Sequence, residues 1–300
     1  MHILHLDTGR EMGGGQWQAL RLLERAGGTL LAPAGSPLFK EAQRRGVETF
    51  PLTFARLVRL VRETHIVHAH DARSHTMAVL ALPAKLVVSR RVAFPVRANP
   101  ASRWKYAAAT HYIAVSEHVK NVLLRAKIPA RKITVVADGV PLGGSQGIAG
   151  IQGVGDFRPA GRILVNDPRK NAGLAEAAAR ELGVELHTVR NLERDLKDAG
   201  LFVYISHSEG LGSGVLLAMA AGVPVVASNV GGLPEIVRDG ETGLLAENDA
   251  GSIAAAIRRM LDDRPFAQAC AERARRMVEE RFSVEIMVRD TMKVYRRILK

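Results

Sequence analysis

Three hundred residues, 47% of them hydrophobic and none in a low-complexity tract, exclude a disordered or fibrous chain and leave room for two domains with separate cores. The single cysteine, Cys270, excludes an internal disulfide, and no apolar run approaches the roughly 20 residues of a membrane-spanning helix. The net charge of +12 lies wholly in the first half: residues 1–142 hold 21 Lys and Arg against 9 Asp and Glu, while residues 143–300 hold 21 of each.

In chain order, short β-forming runs alternate with helical periodicity. Strands are expected at 2–6, 29–32, 47–51, 65–70, 85–89, 111–115 and 132–136, with helices between them, including 14–26 and 116–127. Such alternation implies a parallel sheet, whose ligands bind in loops at the carboxyl ends of the strands. Those loops run from Thr8 to Gln16, His70 to His75, Arg90 to Arg97 and over Ser116–Glu117. Gly13, Gly14 and Gly15, followed by Gln16, put uncovered N–H groups before a helix, a setting for a phosphate or for hydroxyls, although a triple glycine also serves as a plain loop. His68 and His70 are read as pointing to opposite faces, which leaves His70, beside Asp71, as the cleft residue. His-x-His with one nearby carboxylate lacks a clear third ligand, so no metal is expected. Arg90 and Arg91 end the fifth strand, where they can grip a phosphate or acidic sugar, or stand as surface charge.

From Lys85 to Lys132 there are eleven basic residues and one acid, Glu117. A field of that sign attracts anions. Nucleic acid is the weaker partner, because only Phe94, Trp104, Tyr106 and Tyr112 are interleaved for stacking. An anionic membrane surface fits better. Phe54, Leu57, Val58 and Val61 share one helical face with Arg56, Arg59 and Arg62 opposite, a pattern that any outer helix of an α/β domain also has.

In the second half a strand at 162–165 leads through Arg169–Lys170–Asn171 into a helix, and a further strand is expected at 184–189. Leu201–Ser206 is a strand that breaks at Ser208–Glu209–Gly210. The helix expected over Leu211–Ala221 carries Gly212, Ser213 and Gly214 at its positive end, a place for a diphosphate. Gly222 caps it, Val223–Ser228 is the next strand, Gly231–Gly232 lets the chain pass close to a neighbour, and Pro234–Glu235 opens another short helix. On spacing alone, an ordinary Rossmann-like turn accounts for these glycines equally well.

The residues themselves are narrower than their spacing. Glu209–Gly210 with Gly212, then LLAMAAG at 216–222, PVVAS at 224–228, VGG at 230–232, Pro234–Glu235, Asp239–Gly240 and Thr242–Gly243 resemble the nucleotide-sugar half of glycosyltransferase family 4. The resemblance extends to HILHL at 2–6, Gly13 to Gln16, VHAHD at 67–71, IAVSEHV at 113–119, DGV at 138–140 and the run from Arg281 to Leu299. It implies an α/β GT-B fold of two facing Rossmann-like domains with parallel sheets, the second reduced by about one strand–helix unit. The acceptor domain would be 1–142, the linker 143–160, the nucleotide-sugar domain 161–280, and 281–300 a helix crossing back to the first domain.

By the same resemblance, Glu209, Arg169 and Lys170 are the catalytic set, with Gly210, Gly212, Ser213, Gly214, Val215 and Arg190 holding the donor. Gly13, Gly14, Gly15, Gln16, His70, Asp71, Arg90, Arg91 and Ser116 face the acceptor. The implied reaction moves a sugar from a nucleotide donor, with retention and without a metal cofactor, to an anionic or lipid-linked envelope glycan. The lack of a leader before the first strand adds the expectation of a cytoplasmic protein, peripheral at the membrane's inner face. Two departures stand out. Where the family has a second Glu eight positions after Glu209, this chain has Leu217, and where many members have a His near the donor sugar it has Arg90–Arg91. A weakened sugar-nucleotide-binding subunit and a sugar-nucleotide epimerase are the alternatives on this fold.

Overall fold

The computed structural model describes residues 1–142, 161–166 and 172–300. They form two compact units, Met1–Gly139 with Val284–Lys300, and Val140–Ser283. Residues 143–160, expected as a linker, and Arg169, Lys170 and Asn171 lie outside the described residues.

The first unit is built on seven parallel strands: β1 (Ile3–Leu6), β2 (Thr29–Ala32), β3 (Thr49–Pro51), β4 (Ile66–Ala69), β5 (Leu86–Arg90), β6 (His111–Ala114) and β7 (Ile133–Val135). Their order is β3-β2-β1-β4-β5-β6-β7. The chain winds outward from β1 to β3 and returns to β4, so the direction of winding reverses between β1 and β4. β1, β2, β4 and β6 are buried at every position, as central strands covered on both faces must be. All seven expected strands are present. β3 starts two residues late because the Val47 N–H is spent closing the preceding helix on the Ala42 carbonyl, at 3.0 Å.

Six helices connect these strands: α1 (Gly14–Ala26), α2 (Pro37–Arg44), α3 (Phe54–Val61), α4 (Ala72–Ala81), α5 (Pro100–Ala108) and α6 (Glu117–Arg125). Five of them start on a capping side chain, Ser36, Thr53, Asp71, Asn99 and Ser116, each accepting a backbone N–H. α3 turns Leu57, Leu60 and Val61 into the core and leaves Phe54 exposed, so most of its apolar face is ordinary packing. The last helix, α12 (Val284–Leu299), belongs to this unit, where Val284, Met287, Val294 and Tyr295 join Ile3, Leu22, Ile66 and Val87 in one core cluster.

The second unit has five parallel strands, β8 (Arg162–Val165), β9 (Leu186–Thr188), β10 (Ala199–Tyr204), β11 (Val225–Ser228) and β12 (Leu244–Ala246), in the order β12-β11-β10-β8-β9. Here the winding reverses between β8 and β10. Its helices are α7 (Ala172–Leu182), the short α8 (Leu192–Asp195), α9 (Ser213–Ala220), α10 (Ala250–Asp262) and α11 (Arg264–Arg281). The β9 and β11 boundaries shift for the reason seen at β3: Val184 N–H closes α7 on Ala179, and Val223 N–H closes α9 on Ala218. α9 starts at Ser213 rather than Leu211, since Gly212 has a φ of +104°, outside helical space. Pro234–Glu235 form only a single 3-10 turn, Leu233–Glu235.

Candidate functional site

In the second unit the chain leaves β10 at the reversal point and runs through Glu209 into α9. Glu209 is half-buried, with Oε2 accepting from the Tyr204 hydroxyl at 2.5 Å and Oε1 from the Gly210 N–H at 3.2 Å. Its backbone is clamped by Gly231 and Gly232. Gly232 N–H donates to the Glu209 carbonyl at 3.0 Å. A Cβ on Gly231 would overlap that carbonyl oxygen, and one on Gly232 would overlap the Gly210 oxygen. The neighbour that the double glycine passes is therefore the Glu209–Gly210 loop itself.

Gly212 is the N-cap of α9, where a Cβ would press on Leu233 at 2.7 Å. Val215 N–H and Leu216 N–H both bond the Gly212 carbonyl, at 2.9 and 3.1 Å. The N–H groups of Ser213 and Gly214 have no acceptor among the described residues, and they open the positive end of a helix beside a fixed carboxylate. Val215 and Leu217 are buried in the unit. Leu192, beside Gly214, carries the β9–α8 loop to this helix end, and on that loop Arg190 is exposed with its N–H on Asp195 at 2.9 Å.

Asn166, which the sequence did not single out, joins the two strands that flank the reversal. Its amide Nδ2 donates to the Ile205 carbonyl at 2.9 Å and its Oδ1 accepts the Ile205 N–H at 2.7 Å. This buried pair ends β10 at Tyr204, one residue before Ile205, and aims the following loop. Asn248 does the same on the other side, accepting from Ser228 at 2.7 Å and donating to the Ser206 carbonyl at 3.1 Å.

In the first unit the loops after β1, β4, β5 and β7 also converge at the reversal point. Gly13 caps α1, and Gln16 folds back over it: its Oε1 accepts the Gly13 N–H at 3.2 Å and its Nε2 reaches Asp7 at 3.2 Å. Gly14 and Gly15 sit at the exposed start of that helix, with Arg91 3.8 Å from where a Gly15 Cβ would stand. Asp7 also accepts the Gly9 N–H at 2.7 Å, and burial, then the neighbouring Asp71, push its carboxyl above the usual range. Asp71 is committed to structure, taking Thr8 N–H at 2.6 Å, Thr8 Oγ1 at 2.7 Å and the first N–H groups of α4. Ser116 is buried as the cap of α6, accepting Val119 N–H at 3.1 Å.

The two arginines divide. Arg91 pairs with Asp138 at 3.2 Å and lies 3.4 Å from His70 Nδ1, at the centre of the convergence. Arg90, expected beside it in the cleft, instead donates to the Tyr106 hydroxyl and the Phe94 carbonyl and anchors the loop leading to α5. β5 ends at Arg90 and Arg91 lies just past it, and the two side chains reach separate partners.

Strand alternation corrects the histidines. Residues two apart on a strand face the same way, and the rings of His68 and His70 lie 4.1 Å apart, not on opposite faces. His5, paired with His68 in register, adds a third buried imidazole, its Nδ1 2.9 Å from His70 Nε2. The three offer nitrogens within 4.8 Å of one another, the third ligand that His-x-His by itself lacks. These nitrogens are largely spent on protein partners: His68 meets Tyr295 Oη at 2.5 Å and Ser89 Oγ at 2.8 Å. Burial first, then the nearby positive charge of Arg91, holds His5 down at about 3, and His68 and His70 lie well below the ordinary 6.5.

Two family models match the chain, Glycosyltransferase Family 4 over residues 19–143 and Glycosyl transferases group 1 over residues 167–277. Among curated proteins, a glycogen synthase of Mycobacterium tuberculosis is 39% identical over 133 residues, 44% of this chain and 31% of that protein. The N-acetyl-alpha-D-glucosaminyl L-malate synthase of Bacillus anthracis is 34% identical over 111 residues, 37% of this chain and 29% of that protein. The matched stretch thus spans about a third of these relatives. Among solved structures, Anabaena HepE in complex with UDP-glucose superposes with a TM-score of 0.80 at 17% identity, covering 98% of this chain and 99% of that one. Sucrose-phosphate synthase from Thermosynechococcus elongatus gives 0.74 at 19% identity, covering 99% of each chain.

Two Rossmann-like domains with parallel sheets, each with its loops gathered at a reversal in strand order, define an α/β protein of the GT-B class. The chain belongs to glycosyltransferase family 4.

Proposed function

We propose that this chain moves a sugar from a nucleotide-sugar donor to an anionic, lipid-linked glycan acceptor with retention of configuration, the second unit binding donor and the first binding acceptor. The observation that carries the reading is the β10–α9 loop, where the Glu209 carboxylate is fixed beside the unpaired N–H groups of Ser213 and Gly214. Breaking an anomeric C–O bond to a nucleoside diphosphate develops negative charge on the departing phosphate, and donors already aimed there lower the barrier without reorganisation. The α9 N-terminus supplies two such donors, Arg169 and Lys170 add cationic charge, and Glu209 takes the hydroxyls of the donor sugar. Gly210, Gly212, Val215 and Arg190 complete the donor set. The acceptor hydroxyl attacks from the face the phosphate leaves, and the phosphate oxygen takes its proton, so no separate base and no metal is invoked.

In the first unit the acceptor lies over Gly13 to Gln16 and Arg91, with His70 beneath as a neutral hydrogen-bonding group. The protein works at the cytoplasmic face of a membrane. HepE, a structural neighbour of matching length, was crystallised with UDP-glucose, which supports a UDP-sugar as the first donor to test.

A second reading, a donor-binding subunit with weakened turnover, rests on Leu217, a buried apolar residue where the family carries its second Glu. One experiment separates them. UDP-, GDP- and ADP-sugars are tested for binding and slow hydrolysis, with Glu209→Ala as control and EDTA in a parallel series. Hydrolysis of one donor, abolished in the variant and indifferent to EDTA, supports the transferase. Binding without hydrolysis supports the subunit, and binding of none overturns both.

A further inference from the structure

α5 is unusual among the helices of the first unit in that none of its residues is buried. It stands off from α6, and the gap is a cavity of about 700 Å³. The floor is apolar, formed by Val122, Ala126 and Ile128, with Val96 and Ala107 on its walls. Arg97, Arg103, Arg125, Lys127, Arg131 and Lys132 also line it, and no carboxylate does. Lys132 is tied to the Ala107 and Ala109 carbonyls at 3.1 and 2.9 Å. The other five cations make no ion pair among the described residues. Beside the cavity, Phe94 and Trp104 are 63% and 54% exposed, among the largest apolar side chains the unit leaves uncovered.

A solvated basic face mixes charges and needs no cavity; a phosphate-binding site needs no apolar floor. The combination of five unpaired cations, an apolar hollow and two exposed aromatics matches a ligand that is both anionic and hydrocarbon-bearing. From it we infer that the α5–α6 cavity is a docking site for an anionic phospholipid in a bilayer surface. The lipid phosphate rests on the cationic rim, the upper part of a chain enters the hollow, and Phe94 and Trp104 sit at headgroup depth, where aromatic side chains partition. The site is distinct from the Gly13–Gln16 loop and from Arg91. It also stands whether or not transfer is detected, because lipid binding is read without nucleotide or acceptor.

The test is cosedimentation of the full chain with mixed phosphatidylglycerol and phosphatidylcholine vesicles, against vesicles of phosphatidylcholine alone. Salt-sensitive binding to the mixed vesicles is expected. Each cation near an anionic leaflet accounts for about fivefold in binding, so Arg103→Gln with Arg125→Gln weakens it by roughly 25-fold, while Arg56→Gln with Arg59→Gln on α3 leaves it unchanged. Brominated lipid chains quench the parent's fluorescence, and Trp104→Ala loses that quenching. Equal binding to neutral vesicles, an effect of the α3 pair matching that of the cavity pair, or quenching that survives Trp104→Ala would each overturn the proposal. So would binding of a random oligonucleotide in place of vesicles, which would assign the cations to nucleic acid.

Discussion

His68 Nδ1 and the Tyr295 hydroxyl meet at 2.5 Å in the interior of the first unit, joining the middle of β4 to the last helix across 227 positions of sequence. Burial raises the Tyr295 hydroxyl well above its ordinary value, so it stays protonated and donates. That fixes the imidazole proton on Nε2, which donates to Ser89 Oγ at 2.8 Å. Tyr295→Phe removes the donor and strands a buried acceptor, at a cost of about 1–3 kcal/mol. Urea denaturation of the full chain should show a lower midpoint at unchanged slope. A midpoint equal to the parent's would mean that apolar packing alone seats α12.

Acid should loosen the same unit. His5 and His75 are held at about 3, and His68 and His70 well below 6.5, in each case chiefly by burial. As pH falls below about 6.5 the unfolded chain takes up protons that the folded chain refuses, so stability is full above that value and declines towards pH 3. At pH 5 each histidine that stays neutral costs roughly 2 kcal/mol. Denaturation midpoints measured between pH 8 and 5 should fall steeply below pH 6.5, and a flat profile would show that the buried rings protonate in place.

The seven strands of the first unit were legible because a parallel α/β sheet writes its pattern locally, as apolar runs alternating with helical periods. β12 was not expected, β10 lies two residues earlier than expected, and the starts of β3, β9 and β11 slipped. There a valine of good strand propensity, Val47, Val184 or Val223, gives its N–H to the preceding helix instead, and that bond leaves no mark in composition. The Glu209–Gly214 loop was readable from its glycines, of which Gly212 answers a steric need, as do Gly231 and Gly232 packed against the loop. The imidazole trio was not, since His5 joins it only through β1–β4 register, and a period-two strand applied strictly would already have put His68 and His70 together. Asn166 and Asn248 are isolated polar residues whose partners depend on strand order.

Asn166 yields a prediction of its own. With both amide ends bonded to Ile205, it holds β8 and β10 in register at the reversal point. Asn166→Leu fills similar volume but leaves a buried N–H and carbonyl unpaired, a loss of about 2–6 kcal/mol at 1–3 for each group. Hydrogen exchange should quicken at Ile205 and in the loop that follows, with the first unit's amides unaffected. Unchanged protection at Ile205 would show that the strand ends need no such bridge.

Gly231 offers the sharpest test of how the donor loop is held. Its φ is +60°, and a Cβ there would overlap the Glu209 carbonyl oxygen, which the neighbouring Gly232 N–H binds at 3.0 Å. Gly231→Ala combines left-handed strain of about 1 kcal/mol with a clash that the backbone relieves only by moving Glu209. Gly240, at φ +73° with nothing within 4 Å of where a methyl would stand, bears the strain without the clash. The alanine at 231 should therefore weaken binding of whichever nucleotide sugar the donor panel selects by tenfold or more, about 1.4 kcal/mol per decade. Gly240→Ala should lower stability slightly and leave binding as it was. Calorimetric titration of both variants decides the matter: equal affinities would mean that the position of Glu209 is not set by the double glycine.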